Sequence, residues 1–200
     1  MEPHIVGADP IDMTSAAQRL NTGALAQQAL PADVLLHWPH SCETRDAFGY
    51  QVRPIRPDDA QRDRRFIEGL SDASRVMGPS HEPAADLLNQ MVRANYRREM
   101  ALVATIGEGP TEMIIAIARY GGNPAFCELA IAVADEWQSR GVGSTLLQLL
   151  FAHAKTHGVR RLYCLTLDNN IRMLKVAAHL QMTLRRSSAD EAIVEAWRTL

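Results

Sequence analysis

The order in which this chain switches its hydrophobic period constrains its fold more than any other feature. Met100 to Ile106, Met113 to Tyr120 and Phe126 to Val133 are three apolar runs separated only by the turns Gly107-Glu108-Gly109-Pro110 and Gly121-Gly122-Asn123-Pro124. Runs so close together predict an antiparallel meander. The period then becomes helical: Val142, Leu146, Leu149, Leu150 and His153 recur at helix spacing, with Gly158 as the stop. Arg161 to Leu167 reads as a strand again and Asn170 to Leu180 as a second helix. A helix between two strands of one sheet requires parallel pairing, so the expected fold is α/β, an antiparallel half feeding a parallel β-α-β-α half. Upstream, Tyr50 to Arg56 alternates as a strand, Asp58-Asp59 caps a helix to about Leu70, and another helix is expected over Pro83 to Tyr96. Met182 to Arg186 and Ala192 to Trp197 close the pattern as a hairpin.

Composition enters as a filter on partners. Lys+Arg number 21 against 23 Asp+Glu in 200 residues, a net charge of −2, which argues against nucleic acid as a partner. No stretch approaches 18 apolar residues and Met1-Glu2-Pro3-His4 is not followed by a leader-like apolar run, so the expectation is a cytoplasmic chain without a membrane span. Cys42, Cys127 and Cys164 are too few and too widely spaced for a disulfide framework. One compact domain behind an N-terminal extension is expected. Residues 1–49 form an extension with a helix over Thr14 to Leu30 and a turn-rich linker from Leu36 to Cys42; residues 50–200 form the globular domain. The extension is acidic and folds onto the domain, stays mobile or pairs with a second copy as a homodimer, three readings that the sequence leaves open.

The segment with most chemical content is Gln138-Ser139-Arg140-Gly141-Val142-Gly143-Ser144, between a strand and the long helix. Backbone N–H groups of such a loop, with those of the helix's first turn, converge on an anion, and glycines let it approach. Arg140 adds a permanent positive charge, with Arg172 and Lys175 on the next helix. A dinucleotide fingerprint is excluded because Leu146 stands where its third glycine would be, and a Walker loop because no Gly-Lys-Ser/Thr is present.

The whole array, strand Glu128 to Val133, the Gln-x-Arg-Gly-x-Gly loop, an amphipathic helix, a strand and then Asn169-Asn170, resembles the acyl-CoA core of the GNAT superfamily of N-acetyltransferases. The likeness covers roughly residues 50 to 198. Val52 to Asp59, Leu70 to Arg75 and Asn95 to Ala104 further resemble the GNAT domain of bacterial protein-lysine acetyltransferases. The resemblance implies a mixed sheet with a splayed cleft and acetyl-CoA as cosubstrate. It implies that Ile131, Ala132 and Val133 bind the pantetheine arm, that Gln138, Ser139, Arg140, Gly141, Val142, Gly143 and Ser144 bind the pyrophosphate, and that Asn170 contacts the cosubstrate. No metal is implied.

Acyl transfer to an amine needs a base, because an alkyl ammonium with a pKa near ~10.4 is unreactive at neutral pH. Glu128 is the candidate. Strand alternation puts it on one face with Ala130 and Ala132, leaving room for a substrate arm, and puts Cys127 on the opposite, apolar face. A glutamate at the matching position is the base in the lysine-acetyltransferase subgroup. A backbone N–H of Ile131 or Val133, freed by a bulge in this strand, would polarise the thioester carbonyl. Many family members carry a tyrosine acid where this chain has Ala177, so water or another group protonates the thiolate; Leu180-Gln181-Met182 likewise departs from the usual Leu-Gly-Phe. The expected acceptor is a protein lysine; a small amine, or a non-catalytic CoA-binding regulatory module, are the alternatives. His153 with His157, and His37 with His40 and Cys42, have ligand-like spacing but lack a full zinc set. Arg62, Asp63, Arg64, Arg65 and Glu68 read as a solvated helix face.

Overall fold

The computed structural model describes residues 38–75, 99–123 and 125–200. The expected helices over Thr14 to Leu30 and Pro83 to Tyr96 lie outside the described residues. The others are present: strands β1 (His40–Glu43), β2 (Gly49–Pro54), β3 (Met100–Ile106), β4 (Met113–Asn123), β5 (Phe126–Val133), β6 (Arg161–Leu167), β7 (Thr183–Arg186) and β8 (Ile193–Thr199), with helices α1 (Ala60–Gly69), α2 (Asp72–Arg75), α3 (Val142–Thr156) and α4 (Ile171–His179).

The strands form one sheet in the order β1-β2-β3-β4-β5-β6-β8-β7. Every pairing is antiparallel except β5 with β6, as the change of period predicts. Two features of the sheet differ from expectation. His40–Glu43 lies within and just beyond the segment read as a linker, yet it pairs with β2 from His40↔Val52 to Glu43↔Gly49. The bulge is not in β5, whose register with β4 runs unbroken from Ala116↔Val133 to Asn123↔Phe126. It lies at β3–β4, where Ala104 faces Ala116 and Thr105 faces Ile114, and the carbonyl of the extra residue, Ile115, accepts a hydrogen bond from Ala134 N–H at 2.9 Å.

Helices α3 and α1 pack on opposite faces of the sheet. α3 turns Val142, Leu146, Leu147 and Leu150, all fully buried, onto Leu102, Ala118 and Leu129. On the opposite face, α1 sets Phe66 and the adjoining Leu70 against Ile55, Val103 and Ile117. The start of α1 is pinned by a buried ion pair, Arg53 to Asp59, with two hydrogen bonds of 2.7 Å. Asp63, one turn further on, is not on the solvated face with its arginine neighbours: it is buried at 4% exposure. Positions 59, 63, 66 and 70 follow the inward helical stripe, and the charge of residue 63 disguised it.

Candidate active site

β5 and β6 pair at only two positions, Cys127↔Leu162 and Glu128↔Tyr163. Beyond them β6 remains paired with β8 and β5 with β4, so the β6-facing edge of β5 from Leu129 to Val133 stands open inside the molecule. A sheet edge of this kind offers unpaired N–H and C=O groups to an extended ligand. The opening is a cleft of about 640 Å³, walled on one side by Ile131, Ala132 and Val133 and on the other by α4, through Asn170, Met173, Val176 and others. Asn170 caps α4, its Oδ1 accepting from Met173 N–H at 3.1 Å. Arg172, Lys175 and His179 of the same helix line this wall.

The floor is the glycine loop. Asp135–Trp137 forms a single helical turn that redirects the chain, and Asp135 fixes it to α2 by accepting from Ser71 N–H (2.9 Å), Ser71 Oγ and Ser74 Oγ (both 2.8 Å). These bonds hold the Asp135 carboxyl below its ordinary pKa, the backbone bond from Ser71 first among them. Gln138 Nε2 donates to Ser74 Oγ (2.9 Å) and to the Val133 carbonyl (3.0 Å), closing the loop onto the end of β5. Gly141 then enters α3 at φ +97°, a conformation that excludes most side chains. At Gly143 a Cβ would stand 3.3 Å from both Ile131 Cδ1 and Val133 Cγ2, so glycine is what lets α3 press against β5. No side chain caps α3, which leaves its first-turn N–H groups directed at the cleft floor.

The family model described as Acetyltransferase (GNAT) family matches residues 65–181. The chain belongs to this family. An acetyltransferase of Pseudomonas aeruginosa is 30% identical over 163 residues, covering 79% of this chain and 87% of that protein. The acetyltransferase Pat of Mycolicibacterium smegmatis is 29% identical over 161 residues, 78% of this chain, and this chain spans only 47% of its length. Among solved structures, the GNAT domain of S. lividans PAT superposes with a TM-score of 0.72 at 31% identity, over 82% of this chain and 98% of that one. The chain is accordingly a GNAT acyltransferase, of a family that uses acetyl-CoA.

Within this GNAT domain the sequence-named residues separate into two groups. Ile131, Ala132, Val133, Gln138, Ser139, Gly141, Gly143, Ser144 and Asn170 all line the one cleft. Three do not. Val142 is fully buried in the core. Arg140 turns its guanidinium out of the cleft, onto Asp46 and over the Trp137 ring, 4.6 Å from its centroid. Glu128 is exposed at the vertex where β5 and β6 part, outside the cleft lining. The alanines beside it do not form open space, because Ala130 and Ala132 are 7% and 6% exposed, Ala132 packing beneath α1. Cys127 is fully buried on the other face. At the end of α4, Gln181 adopts the left-handed φ of +55° at the position where the family usually has glycine, and its N–H still closes the turn onto Ala178 O at 3.0 Å.

The sequence reading missed four contributors. Arg45 lines the cleft from the turn between β1 and β2. Ser71 and Ser74 anchor the loop through Asp135, a contact across more than 60 residues that only the resemblance over Leu70 to Arg75 hinted at. Glu99 lies across Gly121, with its Cγ 3.3 Å from where a Cβ would stand, and Gly121 is the β4 partner of Glu128. Two carboxylates therefore flank one glycine on the same face. Among the described residues no helix is long and apolar enough to cross a membrane, and no group of three potential metal ligands occurs.

Proposed function

We propose that this acyltransferase moves an acetyl group from acetyl-CoA to a primary amine, with a protein lysine as the acceptor and Glu128 as the general base. The observation that carries the reading is the two-residue pairing of β5 with β6. It leaves an edge long enough for an extended pantetheine arm and ends at Glu128. The cleft floor offers uncapped α3 N–H groups for the diphosphate, and Asn170 meets the arm from α4. An ammonium approaching the vertex meets Glu128 and Glu99 on either side of Gly121, a negative site that attracts it before it loses its proton. The ammonium passes one proton to Glu128 directly or through one water, the freed amine nitrogen attacks the thioester carbonyl, the C–S bond breaks, and the second proton leaves the nitrogen for solvent as the thiolate takes one up. The likeness to protein acetyltransferase domains supports lysine over other amines.

Glu128→Gln keeps size and removes the base. Turnover of lysine-containing proteins at pH 7.5, read as thiol release, is expected to fall by about 10²–10⁴ while acetyl-CoA binding by calorimetry is retained. Equal rates for variant and parent across pH would remove Glu128 from the mechanism. Faster turnover of polyamines than of lysine proteins would replace the acceptor by a small amine.

A further inference from the structure

The glycine loop carries its own arginine, but the fold spends that charge elsewhere. Arg140 Nε donates to Asp46 Oδ1 at 3.1 Å, a second nitrogen contacts Asp46 Oδ2, and the guanidinium lies over Trp137. The pair is neutral as a unit, and the Asp46 carboxyl is held well below the usual carboxylate range by Arg140. Arg45, the residue before Asp46, is the cation left over. Among the described residues no carboxylate pairs with it, it lines the cleft together with Gly143 and Ser144, and its Cγ and Nε lie 3.5 and 3.8 Å from the Cβ position of Gly141, directly over the entry to α3.

The turn that presents Arg45 is rigid. Thr44 and Phe48 exchange hydrogen bonds, Thr44 N–H to Phe48 O and Phe48 N–H to Thr44 Oγ1, both 2.9 Å, and Ala47 is held at φ +59°. Such a conformation in a non-glycine residue persists only where its surroundings over-determine it. The turn is also fastened to the loop: Arg45 N–H donates to the Arg140 carbonyl at 3.0 Å, and Phe48 packs edge-on against Trp137 with centroids 5.0 Å apart. Backbone bond, ion pair and aromatic contact all fix Arg45 relative to the first turn of α3.

We propose that Arg45 is the side chain that grips the diphosphate of acetyl-CoA, and that Arg140 is a positioning residue that holds the β1–β2 turn, and with it Arg45, over the loop. This rests on the acetyl-CoA reading above. It also makes β1 and its turn part of the cosubstrate site, although they lie before residue 65, where the family match begins. A guanidinium suits the task because its fork of donors can bridge two phosphate oxygens while α3 N–H groups take the others.

The test uses the full chain with Arg45→Gln, and compares acetyl-CoA with acetyl-pantetheine, which keeps the thioester and lacks the diphosphate. Arg45→Gln is expected to raise the Kd for acetyl-CoA about tenfold, the loss of one charge-assisted hydrogen bond, with kcat at saturation unchanged. With acetyl-pantetheine the variant and the parent are expected to have the same kcat/KM. Arg45→Glu is expected to weaken acetyl-CoA by a further factor of about ten, and added salt to narrow the gap between parent and Arg45→Gln. In an Asp46→Asn background, where the turn is released, the effect of Arg45→Gln is expected to shrink. Unchanged acetyl-CoA affinity in Arg45→Gln, or an equal loss with acetyl-pantetheine, overturns the assignment. Absence of acetyl-CoA binding by the parent chain would instead overturn the acetyl-CoA reading itself.

Discussion

Asp63 is a carboxylic acid placed where folding disfavours its ionised form, and replacing it with asparagine should stabilise the protein in a manner that depends on pH. Neither carboxyl oxygen has a hydrogen-bond partner, the residue is 4% exposed, and burial pushes its pKa up from 3.8 to about 7, with the nearby Asp59 adding to the rise and Arg53 opposing it. A group whose pKa is raised on folding keeps a proton that the unfolded chain has lost, so raising the pH costs the native state. That cost is absent below about pH 3.8, grows through the interval and is complete above about pH 7. A shift of this size corresponds to about 4 kcal/mol. An asparagine at this position would be neutral throughout with nearly the same shape, and its own unpaired amide resembles the unpaired neutral acid. Urea unfolding of the parent and Asp63→Asn at pH 5, 6, 7 and 8 should therefore show a gain of about 4 kcal/mol at pH 8, falling to less than half at pH 5. A gain of the same size at every pH would show that Asp63 does not change its ionisation on folding.

Two further measurements probe other parts of the molecule. His153, 8% exposed and bonded through Nδ1 to Tyr120 Oη at 2.9 Å, has its pKa pushed from 6.5 down to about 4 by burial, with the stacked His157 adding to it. Its neutral form is favoured on folding, so about 3 kcal/mol of stability present above pH 6.5 is lost as the pH falls to 4, and the double variant Tyr120→Phe/His153→Leu should lose correspondingly less over that interval in urea titrations. Asn170→Ala removes the cap of α4 and should lower stability by about 1 kcal/mol, with faster hydrogen exchange at Met173, whose N–H loses its acceptor; unchanged exchange there would refute the cap.

The windows of Asp63 and His153 overlap between pH 4 and 6.5 and have opposite signs. The parent should therefore show little pH dependence from this pair, and each single replacement should uncover the slope of the other.

Local pattern carried most of the elements. β3, β5 and β6 fall where their apolar runs end, because a strand's limits are set by nearby glycine, proline and asparagine. The glycine loop was legible for the same reason: the left-handed turn at Gly141 and the close approach at Gly143 are demands on single residues. What escaped were properties set by partners distant in sequence. β1 is four residues long and owes its existence to β2. The charge of Arg140 reads as available until Asp46, 94 positions away, is seen to occupy it. Periodicity places Asp63 on the inner stripe of α1, but a run of alternating charges resembles a solvated face until the sheet beneath it is known. Nor can a pattern of apolar residues tell where two strands stop pairing, and the cleft depends on that point.

The interleaving of the last three strands bears on the order of assembly during synthesis. β8 lies between β6 and β7, although it is made after both. The meander from β1 to β5 joins neighbours in sequence and can form while the chain is still being made. β7 has no such course open to it, because its partner β8 has yet to emerge, and until β8 joins it, β6 has only its two-position pairing with β5. The side of the cleft that carries α4 is thus completed last, after the meander that carries Glu128 and the glycine loop that follows it have been made.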